Sequence, residues 1–393
     1  MSSDDRWLLP EGINESLPEQ AEALEVFRRR ILDLYHSWGY ELVILPFIEY
    51  LESLLTGTGH DLDLQTFKLT DQLSGRMMGV RADMTPQVAR IDAHRLKRDV
   101  PTRLCYIGTV LNTRPDGFAG SRSPMQVGAE LYGHAGIHSD IEVLSLMLET
   151  LAISGVATIH IDLGHVGIYR SLASESGLTA QQESGFFDML QRKARPEIDE
   201  FLAGLKLSEA HRSSLSALAS LNGGLEVLQK ARSILAPVAG LSDALDDIDA
   251  VARAISADYP SVELNIDLAE LRGYHYQTGI VFAAYVPGQG KEIARGGRYD
   301  DIGQVFGRAR PATGFSTDLK TLLSLSSAPA PGRQSAILAP SDPDPALKAV
   351  VTALRSENQR VIISLSGQEA DAKAMGCSQQ LIRRDGEWVL ESV

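Results

Sequence analysis

The chain has 393 residues, 44% of them hydrophobic and 22% charged, enough to build one large domain and a smaller one around full cores. Its 37 Lys and Arg stand against 51 Asp and Glu, a net charge of −14, which argues against tRNA as a partner because phosphate binding draws on basic side chains. Cys105 and Cys377 are too few for a disulfide framework, no apolar run approaches the ~20 residues of a membrane span, and the acidic start MSSDDRWLLPEG lacks a signal-peptide pattern, so a cytoplasmic protein is expected.

Residues 16–38 read as an amphipathic helix, with Ser16 and Glu19 as a capping box, Leu24, Phe27, Ile31, Leu34, Tyr35 and Trp38 on one face, and Gly39 as its stop. ELVILPFIEY (41–50) follows as an apolar strand interrupted by Pro46, which lacks a ladder donor. Period-2 alternation predicts strands at 126–132, 156–163 and 262–268, and such one-sided patterns point to antiparallel sheet. In the first of these, Gln126, Glu130 and Tyr132 share a face. Ser139 and Glu142 predict a capped helix over 139–155.

Residues from about 168 to 258 carry a helical pattern that begins a packed segment at Phe186, Phe187, Met189 and Leu190, and they read as a helical insertion between two parts of the sheet. SSAPAPGR (326–333) is the expected linker. Beyond it, QSAILAP, a helix near 344–357, RVIISL and EWVLES predict a small α/β unit over 334–393. The expected class is therefore α+β, with a domain over 1–325 built on an antiparallel sheet flanked by helices.

Several separated motifs carry a more specific signal. They are RADMTPQVAR (81–90), YIGTVLNTRPDGFAGSRSPMQVGAELYG (106–133), ELRGYHYQTGIVF (270–282) and ARGGRYDD (294–301) leading into 314–323. Together, over about residues 5–325, they resemble the histidyl-tRNA synthetases, class II enzymes that need ATP, histidine and tRNA. The resemblance implies that the 16–50 region forms a dimer interface. It also implies a histidine site, with Asp83 and Thr85 at the amino group, Gln126 and Glu130 holding the amino group and the ring, Arg272 near the carboxylate, and Tyr276 as one of a pair of tyrosines. Asp83 stands where that family has glutamate, and Gln277 where it has the second tyrosine. Chemically the set is apt: an α-ammonium calls for a carboxylate, an α-carboxylate for a cation, and an imidazole N–H for an acceptor.

Two positions depart more sharply. Where that family places an arginine against ATP in each nucleotide motif, this chain has Asn112 and Thr321. Neither an amide nor a hydroxyl replaces the fixed charge and donor fork of a guanidinium on phosphate. From 333 onwards seven Lys and Arg meet eight Asp and Glu, a poor composition for an anticodon-binding domain. A synthetase-like chain without this equipment resembles the regulatory subunits of ATP phosphoribosyltransferase. That resemblance implies a short-form catalytic subunit as partner in a hetero-oligomer, commonly an octamer, at the first step of histidine biosynthesis, with L-histidine as a feedback ligand. No catalytic residue, metal or cofactor is expected. A stand-alone histidine-binding or tRNA-binding paralogue, or a working synthetase, are the alternatives.

Overall fold

The computed structural model describes residues 7–56, 60–115, 120–235, 241–274, 276–326, 335–367 and 371–393. The chain divides into two compact units, residues 1–15 with 27–327, and residues 16–26 with 328–393. The division falls inside the helix Pro18–Ser37, a boundary that no composition shift announces. That helix starts on a proline, whose missing N–H costs nothing in a first turn. It stops where Gly39 takes φ +81° and the Tyr40 amide reaches back to the Tyr35 carbonyl at 3.0 Å.

In the larger unit a nine-stranded sheet runs in the order Glu41–Leu42, Thr102–Thr109, Met125–Tyr132, Ala312–Asp318, Ala294–Arg298, Ile280–Tyr285, His160–His165, Glu263–Asp267, Asn222–Gly223. The inner pairings from Thr102–Thr109 to His160–His165 are all antiparallel. Two pairings are not. Glu41–Leu42 lies parallel to Thr102–Thr109, and Glu263–Asp267 lies parallel to His160–His165. Alternation in 262–268 reports burial on one face near a sheet edge, and burial does not fix strand direction.

The predicted strand over 41–50 is two short strands in different sheets. Glu41–Leu42 joins the large sheet, and Ile48–Tyr50 joins Met77–Val80 and Phe67–Thr70 in a three-stranded one, with Pro46 at the break. The predicted helix 139–155 is Ile137–Ala152, and its capping box does not form. Gly136 is the N-cap, the Ser139 hydroxyl donates to the Gly136 carbonyl at 2.7 Å, and Glu142 pairs with Arg103. Its apolar face, including Val143, Leu144, Met147 and Leu151, is fully buried and packs on the Ala312–Asp318 strand and on the helix Leu241–Asp258.

Across the 168–258 stretch the described residues form helices from Val166–Glu175 through Leu241–Asp258. It is not wholly helical, because Asn222–Gly223 adds an edge strand to the large sheet. Two buried ion pairs brace the larger unit: Arg298 with Asp140 at 2.7 Å and Arg310 with Asp92 at 2.7 Å.

The smaller unit has a four-stranded sheet in the order Val361–Ile363, Ala336–Ala339, Cys377–Arg384, Glu387–Ser392, with the helix Pro345–Ser356 capped by Asp344. Ile337, Leu347, Val351, Val361 and Leu381 form its core. The expected linker lies outside the described residues apart from Ser326. Among the described residues no helix is long and apolar enough to cross a membrane.

Candidate functional site

Glu130 sits in the strand Met125–Tyr132, directly opposite Leu104 on one side and Gly314 on the other. A Cβ at position 314 would lie 1.5 Å from the Glu130 carboxylate, so only glycine leaves room for it there. Gly128 does the same for Tyr106, whose hydroxyl would be 2.3 Å from an added Cβ. Two glycines on neighbouring strands thus open a trough in the sheet face, and polar side chains fill it.

The carboxylate is 1% exposed. Its Oε1 accepts from the Tyr106 hydroxyl at 2.9 Å and from Thr85 Oγ1 at 3.1 Å, and its Oε2 accepts from the Tyr299 hydroxyl. Burial pushes the carboxyl up to about 8; the tyrosine and threonine donors oppose that rise and the charge of Asp83 adds to it. Burial likewise raises Tyr106 and Tyr299 well above the usual phenol value, with Glu130 contributing, so both stay neutral donors.

Asp83, Thr85 and Gln126 join the same network. Gln126 donates from Nε2 to Asp83 at 2.8 Å and accepts the Met84 amide at 2.9 Å, while Asp83 also accepts the Thr85 amide at 3.1 Å. Tyr276 stacks on Tyr299 with ring centroids 4.9 Å apart, which places it beside the cluster without touching the carboxylate. Arg272 stands apart. Its guanidinium pairs with Glu292 at 3.2 Å and Glu270 at 3.4 Å and lies 5.3 Å from the centroid of the Tyr285 ring. Five of the six expected residues are therefore brought together, and Arg272 is engaged in an intramolecular pair. Gln277 is buried beside Gly273 and Gly297, and its Oε1 has no hydrogen-bond partner among the described residues.

Tyr106, Tyr299 and the glycines at 128 and 314 are site residues that the sequence patterns passed over. Tyr106 and Tyr299 lie inside quoted motifs, but what they touch depends on strand register across the sheet.

The two nucleotide-motif positions serve local structure. The Asn112 amide donates to the Arg122 carbonyl at 2.9 Å, and Arg122 in turn donates from Nε to the Asn112 carbonyl at 3.0 Å and from Nη1 to the Glu11 carbonyl at 3.2 Å. Thr321 lies in the first turn of the helix Leu319–Leu325, where its amide and hydroxyl both bond to the capping Asp318. Chemically, the site is a buried, hydroxyl-lined carboxyl with an adjacent carboxylate and amide.

This antiparallel sheet with its carboxylate trough defines a histidyl-tRNA synthetase-like core, and residues 12–322 match the histidyl-tRNA synthetase family. Residues 334–391 match the ATP phosphoribosyltransferase subunit HisZ C-terminal domain. An ATP phosphoribosyltransferase regulatory subunit of Thioalkalivibrio sulfidiphilus is 66% identical over 98% of this chain and 97% of its own. One of Alkalilimnicola ehrlichii is 57% identical over 99% and 98%. A crystal structure described as an ATP phosphoribosyltransferase regulatory subunit/histidyl-tRNA synthetase from Bacillus halodurans superposes with a TM-score of 0.82 at 27% identity, covering 94% of this chain and 95% of that one. The chain belongs to the ATP phosphoribosyltransferase regulatory subunit family.

Proposed function

We propose that this protein is the regulatory subunit that a short-form ATP phosphoribosyltransferase requires for activity, at the first step of L-histidine biosynthesis in the cytoplasm. It acts there without catalysing a reaction itself, assembled with the catalytic subunit in a hetero-oligomer, an octamer in the arrangement we favour. The observation that carries this reading is the C-terminal match over 334–391, which sits behind a synthetase-like core whose two ATP-facing positions hold Asn112 and Thr321. Positioned cations on a transferring phosphate commonly supply several kcal/mol of transition-state stabilisation, so a core lacking both is better suited to binding than to activating an amino acid.

The ligand in this reading is L-histidine, its ring on Glu130 and its ammonium between Asp83 and Gln126, with Thr85 and Tyr276 completing the walls. Arg272 serves the α-carboxylate by leaving Glu292. Co-purification with a short-form catalytic subunit, assayed for transferase activity with and without this chain, tests the role: activity should depend on the chain. ATP–pyrophosphate exchange should be absent in wild type and in Asn112→Arg alike, because position 321 still lacks its cation. Histidyl-adenylate formed by the unmodified chain would overturn the non-catalytic reading.

A further inference from the structure

Arg272 and Tyr276 belong to a short stretch whose midpoint, Tyr274, is gripped by the helical insertion. Arg170, on the helix Val166–Glu175, donates from Nη2 to the Tyr274 carbonyl at 2.7 Å and lies 5.1 Å from the centroid of its ring. The Tyr274 hydroxyl donates to the carboxylate of Glu183, on the helix Ala180–Gln191. The Glu183 backbone carbonyl in turn accepts the Tyr169 hydroxyl at 2.8 Å, tying the two helices together. Tyr169 meets the Tyr274 ring edge-on at 5.0 Å, and Phe187 lies at 5.3 Å. Backbone, ring and hydroxyl of one residue are therefore each held by the insertion.

The stretch itself is a run of tight turns. The Tyr274 amide bonds to the Leu271 carbonyl at 2.9 Å, the Tyr276 and Gln277 amides bond to the Gly273 carbonyl at 2.8 and 2.7 Å, and Gly273 takes φ +71°. The Gly273–Tyr274 peptide thus joins the gripped residue directly to the carbonyl that holds the Tyr276 and Gln277 amides. Tyr276 stacks on Tyr299, whose hydroxyl reaches Glu130. A contiguous path of packed and hydrogen-bonded groups thus runs from the insertion to the buried carboxyl.

We propose that Arg170 and Glu183 are positioning residues, which fix Tyr274 and thereby set Arg272 and Tyr276 for the ligand; this rests on reading the Glu130 cluster as a histidine site. The bland alternative is that the grip merely packs the insertion, in which case its loss lowers stability and leaves the ligand unaffected.

The experiment uses the full chain as wild type, Arg170→Ala, Arg170→Lys and Glu183→Gln. Hydrogen exchange over 270–278 is compared with exchange over 125–132, and L-histidine is titrated calorimetrically into each protein. Arg170→Ala should speed exchange in the first segment and leave the second alone. It should weaken histidine about tenfold, the loss expected if the binding-competent turn falls to a tenth of the population. Arg170→Lys keeps a cation over the ring and one donor, and should restore most of both effects. Unchanged exchange over 270–278, or faster exchange with unaltered affinity, overturns the proposal while leaving the histidine reading intact. Wild type that binds no histidine sinks both.

Discussion

Glu130 accepts from Thr85, Tyr106 and Tyr299 at 1% exposure, so Glu130→Ala strands three buried donors at once. We expect a loss of about 2–5 kcal/mol in urea unfolding, more than for an open-cleft side chain, because each orphaned buried group costs about 1–3 kcal/mol. Glu130→Gln retains an acceptor oxygen and should lose less. The two variants also separate on pH. The folded carboxyl is pushed up to about 8 from an ordinary value of 4.5, so between those values the native state holds a proton that the unfolded chain has released. Stability from this group is then fully present at acid pH and falls as pH rises through the window, at a slope of up to about 1.4 kcal/mol per pH unit. Urea midpoints at pH 5, 6.5 and 8 should show that decline in wild type relative to Glu130→Gln. Parallel pH profiles for the two proteins would contradict it. Gly314→Ala, which drives a methyl into the carboxylate, should be as damaging as Glu130→Ala despite adding a single carbon.

Among the elements, the short helix Leu319–Leu325 concentrates much on one residue. Asp318 accepts the Lys320 and Thr321 amides at 3.2 Å each, the Thr321 hydroxyl at 2.8 Å and, from the neighbouring strand, the Met125 amide at 2.8 Å. Asp318→Ala should cost about 1–3 kcal/mol by thermal melt, the upper end of an N-cap loss because a second element loses its partner too. Asp318→Asn should recover part of it, and equal melts for the two would reduce the cap to a bystander. The elements that sequence patterns reached were those whose polar and apolar residues alternate or whose apolar face is long, such as Met125–Tyr132, where Gln126 and Glu130 share a face although positions 127–132 are all buried, and Pro18–Ser37. Ile280–Tyr285 escaped because its sequence, IVFAAY, carries no polar residue until its last position, leaving no alternation to read. Ala294–Arg298 and Ala312–Asp318 escaped because glycines occupy the positions that face Glu130 and the close strand contacts, and glycine has no β signature.

At the scale of the whole molecule, the sheet edge at Glu41–Leu42 and the segment after it expose Leu42, Ile44, Phe47, Ile48 and Tyr50, with Ile44 90% exposed. An edge strand flanked by apolar side chains is a surface that a second copy would cover, and it lies within the 16–50 region where the resemblance implies a dimer interface. Sedimentation at micromolar concentration should give a dimer, and Ile44→Asp should shift it toward monomer without lowering the melting temperature of the fold. A monomeric wild type would remove this surface from the reckoning. Elsewhere in the larger unit the ion pair of Arg310 and Asp92 is internal, at 8% and 2% exposed, so Arg310→Ala leaves a buried carboxylate unpaired and should cost about 3–5 kcal/mol.

The α+β class was legible in the sequence, because it rests on periodicity and on motifs that lie within single segments, and the resemblance those motifs carry is what pointed to Asp83, Thr85, Gln126 and Glu130. The same resemblance singled out Asn112 and Thr321, where the synthetase family is expected to carry arginine. Tertiary structure alone decided that Glu130 is buried and triply hydrogen-bonded, that Gly314 and Gly128 make its room, that Arg272 is held by Glu270 and Glu292, and that Tyr274 is gripped from the insertion. Each of these depends on the register between strands or on contacts between residues far apart in the chain. A local pattern constrains which face a residue takes, but not which partner the fold brings to that face.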